Sequence, residues 1–383
     1  MKRLFFVWGV ASLLAVTACH RDNLAAMEDE QEESRPVTVE EGAELLSVLP
    51  LGAEQMAEVH TAATASAGTG YDEEYRMRDL FAQPGAGVGD TLACTKAYAR
   101  PLRDLLREAV RARTKASGGF PESWLDSLAS SDVQIYWPFS ESWDGRQLPV
   151  VTFDPGDYTE RNVGYALRAD GSAQKVMVDE QMAREQPVWV VNRNSDADFK
   201  SLEMRRREDP SWGQGGGGII IRGGNTEIKT LILRSFKANR QFDSWFAGAS
   251  EFFIKVGKVE DFTASTEAEL RLYQPSITDF MIVVRRNQVG EEIPLNAVLV
   301  SEWTTKLSSI AFMCIEDDGG SRTTWKCNAM VKYNSKSYGF ELEIPLNSRD
   351  DIVWRGSLTR SYIERYSGTV GNFGEVDLVL ELI

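Results

Sequence analysis

The sequence predicts a multidomain α+β protein, with a helical region first and β-rich domains after it. Leucines at helical spacing precede residue 131, and alternating apolar residues dominate beyond it. The 383 residues are enough for about two to three domains of ordinary size. Hydrophobic residues make up 43% of the chain and charged residues 26%, which is ordinary globular composition.

Residues 37–130 form the predicted helical region. Its clearest helix spans about 100–115, where Leu102, Leu105 and Leu106 repeat at i, i+3 and i+4. This spacing places the three leucines on one face, which we expect to be buried.

Residues 131–210 are predicted to form a small β-rich domain. Short apolar runs separated by proline and glycine predict strands at 133–139, 150–153, 175–178 and 188–191. The glycine-rich segment 211–218 is expected to be a linker. Residues 219–383 alternate strongly, and strands with short polar turns predict a β-sandwich-like domain. The turn at 317–320 predicts a hairpin, and a short helix is expected near 359–366.

The first 18 residues have the pattern of a secretory signal peptide. Lys2 and Arg3 precede an apolar run over 4–16. This run is shorter than the roughly 20 apolar residues that cross a bilayer. It ends in the sequence Val16-Thr17-Ala18-Cys19.

This ending resembles the lipobox of bacterial lipoproteins. The resemblance implies that the signal is cleaved before Cys19 and that fatty acyl chains, such as palmitate, on Cys19 hold the protein on a membrane. Two or more chains give a firm attachment, since each buried methylene contributes about 0.8 kcal/mol. The rest of the chain is similar to lipoproteins of anaerobic Gram-negative bacteria, a similarity that implies no catalytic residue.

Residues 19–36 are expected to be an acidic flexible tether. Its acidic residues repel one another and favour an extended chain: Glu28, Asp29, Glu30, Glu32 and Glu33. In enteric lipoproteins an Asp after the cysteine marks retention at the inner membrane, and here His20 follows Cys19. We therefore expect a lipid-anchored protein of the cell envelope at the outer membrane, with its surface or periplasmic face left open.

Charge and histidine content exclude several function classes. The net charge of −15 repels phosphate backbones, so no nucleic-acid partner is expected. The 2 histidines, His20 and His60, leave little for a histidine-based triad or a zinc site. The HExxH and GxSxG motifs are absent from the sequence. We expect no cofactor, and the sequence favours a protein that is not an enzyme.

Aromatic residues cluster in the segment IYWPFSESW. Exposed rings of Tyr136, Trp137 and Trp143 would form a ligand platform on which sugars stack. The alternative is that these rings fill the core, as aromatic residues in strands usually do.

One stretch has the oxygen spacing of a calcium loop. Candidate ligands stand at positions 1, 3, 5, 7 and 12 of the stretch: Asn192, Asn194, Asp196, Asp198 and Glu203. Ala197 occupies the position where such loops need glycine, and a strand is predicted before it. The alternative is a polar turn without a metal.

Two cysteines flank the predicted hairpin turn at similar distances. If both point to one side, Cys314 and Cys327 could form a disulfide across the hairpin. The alternative is a pair of buried free thiols.

These features favour a non-catalytic binding or interaction module for carbohydrate or protein ligands. One alternative is a structural or assembly lipoprotein of the envelope. Another is a carboxylate-dependent hydrolase that uses a pair such as Asp154 and Asp157, or Asp317 and Asp318.

Overall fold

The computed structural model describes residues 36–82, 98–114, 123–156, 158–168, 172–194, 199–210, 228–259, 264 and 266–383. The predicted signal peptide, Cys19, the acidic run of the tether and the glycine-rich segment 211–218 lie outside these residues. Within the described ranges, no helix has both the length and the apolar character to cross a membrane.

The helices concentrate in the first part of the described chain. They are α1 (Val39–Leu46), α2 (Ala53–Ala67), α3 (Met77–Phe81), α4 (Leu102–Thr114), α5 (Ser123–Ala129), α6 (Glu180–Glu185), α7 (Leu202–Glu208), α8 (Glu267–Leu270) and α9 (Arg360–Tyr366). The leucine stripe of α4 is buried as predicted, with Leu102, Leu105 and Leu106 at most 1% exposed.

The strands dominate the rest. They are β1 (Glu74–Arg76), β2 (Val133–Tyr136), β3 (Val150–Phe153), β4 (Arg161–Leu167), β5 (Ala173–Asp179), β6 (Val188–Arg193), β7 (Lys229–Ala238), β8 (Ser250–Lys258), β9 (Ser276–Val284), β10 (Ile293–Trp303), β11 (Leu307–Glu316), β12 (Arg322–Tyr333), β13 (Lys336–Asn347), β14 (Asp351–Thr359), β15 (Thr369–Phe373) and β16 (Val376–Leu382). This order of elements confirms the predicted α+β class, and the boundaries between the predicted domains stay predictions.

The first sheet has the order β1-β2-β6-β3-β4-β5, and its β3 and β6 run parallel. Alternation along β6 gives this sheet two apolar faces. Trp189 and Val191 pack into the same core as the helices α1, α2 and α4. Val188 and Val190 point to the other face, where they share a core with the side chains of Trp245 and Phe246.

The second half of the chain forms two further sheets, and these β-rich sheets fit a β-sandwich. One has the order β10-β7-β16-β15, and the other has the order β13-β12-β11-β8-β9, with β14 paired to β11. Their inner faces share one apolar core. The rings of Phe236 in β7 and Phe252 in β8 lie 5.1 Å apart in that core.

Two local predictions were wrong. The alternation of the sequence at 269–273 predicts a strand, but this segment contains the end of α8, because the hydroxyl of Thr266 caps the helix by accepting from the Glu269 N–H. The turn at 317–320 does not close a tight hairpin. Strand β12 pairs with β13 along its length and meets β11 only at Leu307 and Ser309.

Of the two alternatives for Cys314 and Cys327, the disulfide is not formed, and both are free thiols. Around Cys314, the two edges of β11 are occupied by β8 and β14, so its cross-strand neighbours are Ile254 and Trp354. Cys327 instead lies opposite Leu342. Burial raises the pKa of both thiols, that of Cys327 to about 11, so both remain protonated near neutral pH.

Substitution of Gly374 tests the packing of the β15–β16 turn. Gly374 has φ +72°, and a Cβ there would lie 2.5 Å from the carbonyl oxygen of Val353. Gly374→Ala should lower the free energy of unfolding by about 3 kcal/mol, from the left-handed backbone and the clash together. The measurement is urea denaturation.

Gly290→Ala is the matched control. Gly290 has φ +80°, and no described atom lies within 4 Å of its added Cβ. It should lose only about 1 kcal/mol, the backbone contribution alone. Equal losses in the two variants would contradict the close approach of Gly374 to β14.

Candidate functional site

The segment between β7 and β8 belongs to the sandwich and packs against the first sheet. Its residues Trp245 and Phe246 are 4% and 0% exposed and pack on the face of the first sheet. The Trp245 indole N–H donates to the carbonyl of Glu160 at 3.0 Å, and the Asn192 amide donates to the carbonyl of Phe246 at 3.0 Å. The segment is therefore held by packing and by hydrogen bonds to its neighbours.

This docking forms one wall of a cleft of about 450 Å³. The other walls are the loop 158–161, the first turn of α6 and the guanidinium of Arg286. At this cleft the ring of Tyr158 is 71% exposed, and its backbone has φ +56°. A left-handed conformation is uncommon for a bulky residue, and such strain concentrates at functional sites.

The cleft contains groups of both charges. Arg161 pairs with Asp179 at 3.6 Å. Arg286 donates to the main-chain carbonyl of Asp243 at 2.7 Å and to that of Gly248 at 3.2 Å. Fixed donors and acceptors beside an exposed ring suit a small polar ligand with several hydroxyl groups.

A cluster of three carboxylates adjoins this cleft. Asp243 lines the cleft, and one oxygen each of Asp243, Glu251 and Glu316 lie within 4.8 Å of one another. Glu316 is fully buried. Burial, followed by the hydrogen bond with Asp243 and the charge of the neighbouring carboxylates, raises the pKa of Glu316, and burial likewise raises the pKa of Asp243.

The cluster extends toward Tyr158. The negative charge of Asp318 raises the pKa of the Tyr158 hydroxyl, with smaller contributions from burial, Asp243 and Glu316. Tyr158 therefore stands between the open cleft and an acidic end of the sandwich.

The predicted ligand platform was wrong for Tyr136 and Trp137. They are 0% and 1% exposed, because Tyr136 packs in the core with Trp245 and Phe246, and Trp137, directly after β2, packs in the core with the helices. Trp143 is half-buried and lines a smaller pocket of about 140 Å³ with Asp144 and Gln147. The His60 ring packs on Trp143, with ring centroids 5.1 Å apart.

The described members of the candidate calcium loop, Asn192, Asn194 and Glu203, bind or contact different parts of the fold. The Asn192 side chain donates to the 246–247 backbone, and that of Asn194 donates to Glu74 at 2.7 Å and to Gln134 at 2.8 Å. Asp196 and Asp198 lie outside the described residues. Glu203 belongs to α7, and its carboxylate lies against Gly70. Asn192 lies within β6 and Asn194 directly follows its last residue, Arg193, so both side chains bond to groups around the first sheet.

Sequence reasoning missed Asp243, Glu251 and Glu316. Asp243 and Glu251 are 8 residues apart, but Glu316 follows 65 residues after Glu251, so no local spacing motif joins the three. The one local signal is Glu316, a carboxylate that directly follows the apolar run of β11.

A separate pocket of about 140 Å³ lies beneath α9 and is lined mainly by Tyr362, Phe373 and Leu378 with similar side chains. It contains no carboxylate or basic group, so its lining offers no acid–base or ionic chemistry.

No family model, curated protein or solved structure matches this chain. The chemistry of the site is therefore derived from its own residues.

Two buried acids lie before β1, close to the docked segment. Asp72 accepts from the N–H groups of Glu73 and Ala249, both at 2.8 Å. Glu73 accepts from the Ser140 N–H at 2.9 Å and from the Ser140 hydroxyl at 2.8 Å. Burial, then the charge of Asp72 and the contact with Glu141, raise the pKa of Glu73 to about 8.

The raised pKa of Glu73 predicts a pH-dependent stability. The folded protein keeps this proton at pH values where the unfolded chain, with its ordinary pKa of 4.5, has lost it. The stabilisation is complete below the unfolded pKa and disappears as pH rises through about 8. As pH rises from 6 to 9, the loss of the Glu73 proton should lower the free energy of unfolding of the wild type by roughly 2 kcal/mol.

Glu73→Gln should flatten that dependence, since glutamine does not titrate. The measurement is urea denaturation at several pH values between 6 and 9. A wild type and a Glu73→Gln variant with parallel pH profiles would contradict the assignment to Glu73.

Proposed function

We propose that this protein is a lipid-anchored component of the bacterial cell envelope that binds a carbohydrate-like ligand without catalysing its conversion. The observation that carries the binding part is the cleft of about 450 Å³ with the exposed ring of Tyr158 beside it. Its volume falls in the range of small-molecule sites. The signal-like N-terminus and Cys19 support the anchored part, with the outer membrane as the expected location.

The lining of the cleft favours a sugar over an apolar ligand. An exposed aromatic face stacks on the C–H face of a sugar ring, and nearby charged and amide groups bind hydroxyls. Arg161 and Gln181 on the two walls supply donors, and Asp179 supplies an acceptor. The predicted platform of Tyr136, Trp137 and Trp143 would also have bound a sugar by ring stacking, but the cleft lies at a different place in the fold.

The buried position of Glu316 argues against hydrolysis by the Asp243–Glu316 pair. A glycosidase needs two carboxyl groups that both reach the scissile bond. Asp243 lines the cleft, but the carboxylate oxygens of Glu316 are inaccessible within the described structure. The pair therefore cannot place both groups on one substrate.

Substitution of Tyr158 tests the proposed binding site. A panel of immobilised glycans identifies the ligand, and titration calorimetry then measures its affinity. Tyr158→Ala should weaken binding at least tenfold, a loss of about 1.4 kcal/mol, because the stacking face is removed. Tyr158→Phe, which keeps the ring, should stay within about threefold of the wild type.

A second variant distinguishes the two pockets. Trp143→Ala should leave the affinity unchanged, since Trp143 lines the smaller pocket. Loss of binding in Trp143→Ala with full binding in Tyr158→Ala would transfer the site to that pocket. A wild type that binds no glycan would contradict the carbohydrate assignment.

Substitution of Cys19 tests the anchor. In cells fed a labelled fatty acid, the wild type should incorporate the label, and Cys19→Ala should not. Because acyl chains supply the proposed membrane attachment, Cys19→Ala should also leave the membrane fraction. Equal membrane recovery and labelling of both proteins would contradict the lipid anchor.

The face of the membrane follows from protease digestion of intact and lysed cells. Digestion of the wild type on intact cells would indicate display at the surface, and protection until lysis would indicate the periplasmic face.

A further inference from the structure

We infer that Asp243, Glu251 and Glu316 form a binding site for one calcium ion at the end of the sandwich. One carboxylate oxygen from each residue lies within 4.8 Å of the other two. The inference concerns this cluster only and does not depend on the ligand proposed for the cleft.

The independent indication of a ligand is the lack of hydrogen-bond donors at Glu316. This side chain is 0% exposed, and in the described part of the chain no N–H or hydroxyl group donates to either of its carboxylate oxygens, which instead meet the carboxyl group of Asp243. One oxygen of Asp243 is also buried without a partner there. Buried acceptors that face other acceptors need a positive charge or a shared proton between them.

The charge of Arg286 acts on Asp243, but Arg286 forms no ion pair with Asp243 or Glu316. No ion pair joins Asp243 or Glu316 to a base among the residues that the structure describes. Arg286 reaches the segment of Asp243, but its N–H groups donate to main-chain carbonyls.

Further acids surround the cluster. Asp318 and Asp351 both act electrostatically on Glu316, and Asp351 is its cross-strand neighbour in β14. So many negative charges beside a buried carboxylate attract a cation.

The backbone holds the three carboxylates in place. Glu251 lies in β8 and Glu316 ends the adjacent β11, and the Asp317 N–H donates to the Glu251 carbonyl at 3.0 Å. The segment of Asp243 is tied to β8 because the Phe242 N–H donates to the Ser250 hydroxyl at 2.9 Å. Preorganised ligands on strands favour a defined site.

The donor set selects the cation. Oxygen-only ligands favour calcium, magnesium or manganese over softer metals. Calcium binds oxygen at about 2.3–2.6 Å, so its ligand atoms can be about 5 Å apart, whereas magnesium at about 2.1 Å requires a tighter octahedron. Magnesium also keeps several of its waters and is usually bound through one or two carboxylates, so a cluster of three protein carboxylates fits calcium better.

The test uses the purified full chain, freed of metal by dialysis against a chelator. Titration with calcium chloride at pH 7.5 should show one bound ion per chain by calorimetry. At a hundred times the dissociation constant, the melting temperature should rise by about 5 °C. Glu316→Gln and Asp243→Asn should each weaken calcium binding at least tenfold.

Glu73→Gln is the matched control, because Glu73 is also a buried acid but lies outside the cluster. It should retain the full response to calcium. Glu251→Gln gives a third ligand variant if one of the others fails to fold, as judged by circular dichroism.

A wild type without a calcium response, or a response that persists in Glu316→Gln and Asp243→Asn, would overturn the inference in favour of a shared proton. A larger response to magnesium than to calcium would overturn the choice of cation. Glycan binding is measured separately in the presence of chelator, so failure of the calcium site and failure of the cleft remain distinguishable.

Discussion

The docking of Trp245 and Phe246 on the first sheet is the contact on which the rest of the arrangement depends. Burying two large aromatic side chains contributes about 1.5–3 kcal/mol each, relative to leaving them in water. Their rings pack with centroids 3.9 Å apart, and the Asn192 amide anchors the adjacent backbone. Without this contact, the second apolar face of the sheet around Val188 and Val190 would be exposed.

The same contact brings charged groups to places where water cannot solvate them. The docked segment covers Asp72, and the Asp72 carboxylate accepts hydrogen bonds from the backbone N–H groups of Glu73 and Ala249. Glu316 has no such donors within the described structure. Hydrogen bonds from backbone N–H groups therefore offset the cost of burying Asp72, and no such bonds offset the cost of burying Glu316. This difference separates a structural acid from a candidate ligand, since unpaired buried charge is costly.

Local patterns predicted much of the fold. The leucine stripe of α4 and the apolar runs of β3 and β6 depend on neighbours within a few residues, so periodicity reveals them. The pairing of β11 could not be predicted in this way. Its neighbours β8 and β14 come from distant parts of the chain, and their competition displaces β12 and separates Cys314 from Cys327. The aromatic cluster at 136–143 was recognised, but the burial of Tyr136 and Trp137 depends on the docked segment and the helices that pack on the two faces of the first sheet.

By itself, the sequence determined the α+β class, with helices first and strands after them, and it contains the local motif from which a lipid anchor is predicted, because each of these depends on residues that are close along the chain. Only the tertiary structure decided where the cleft lies and which carboxylates meet. Asp243, Glu251 and Glu316 come together through strand pairing and a docked loop, and such pairing depends on long-range packing that no local spacing records.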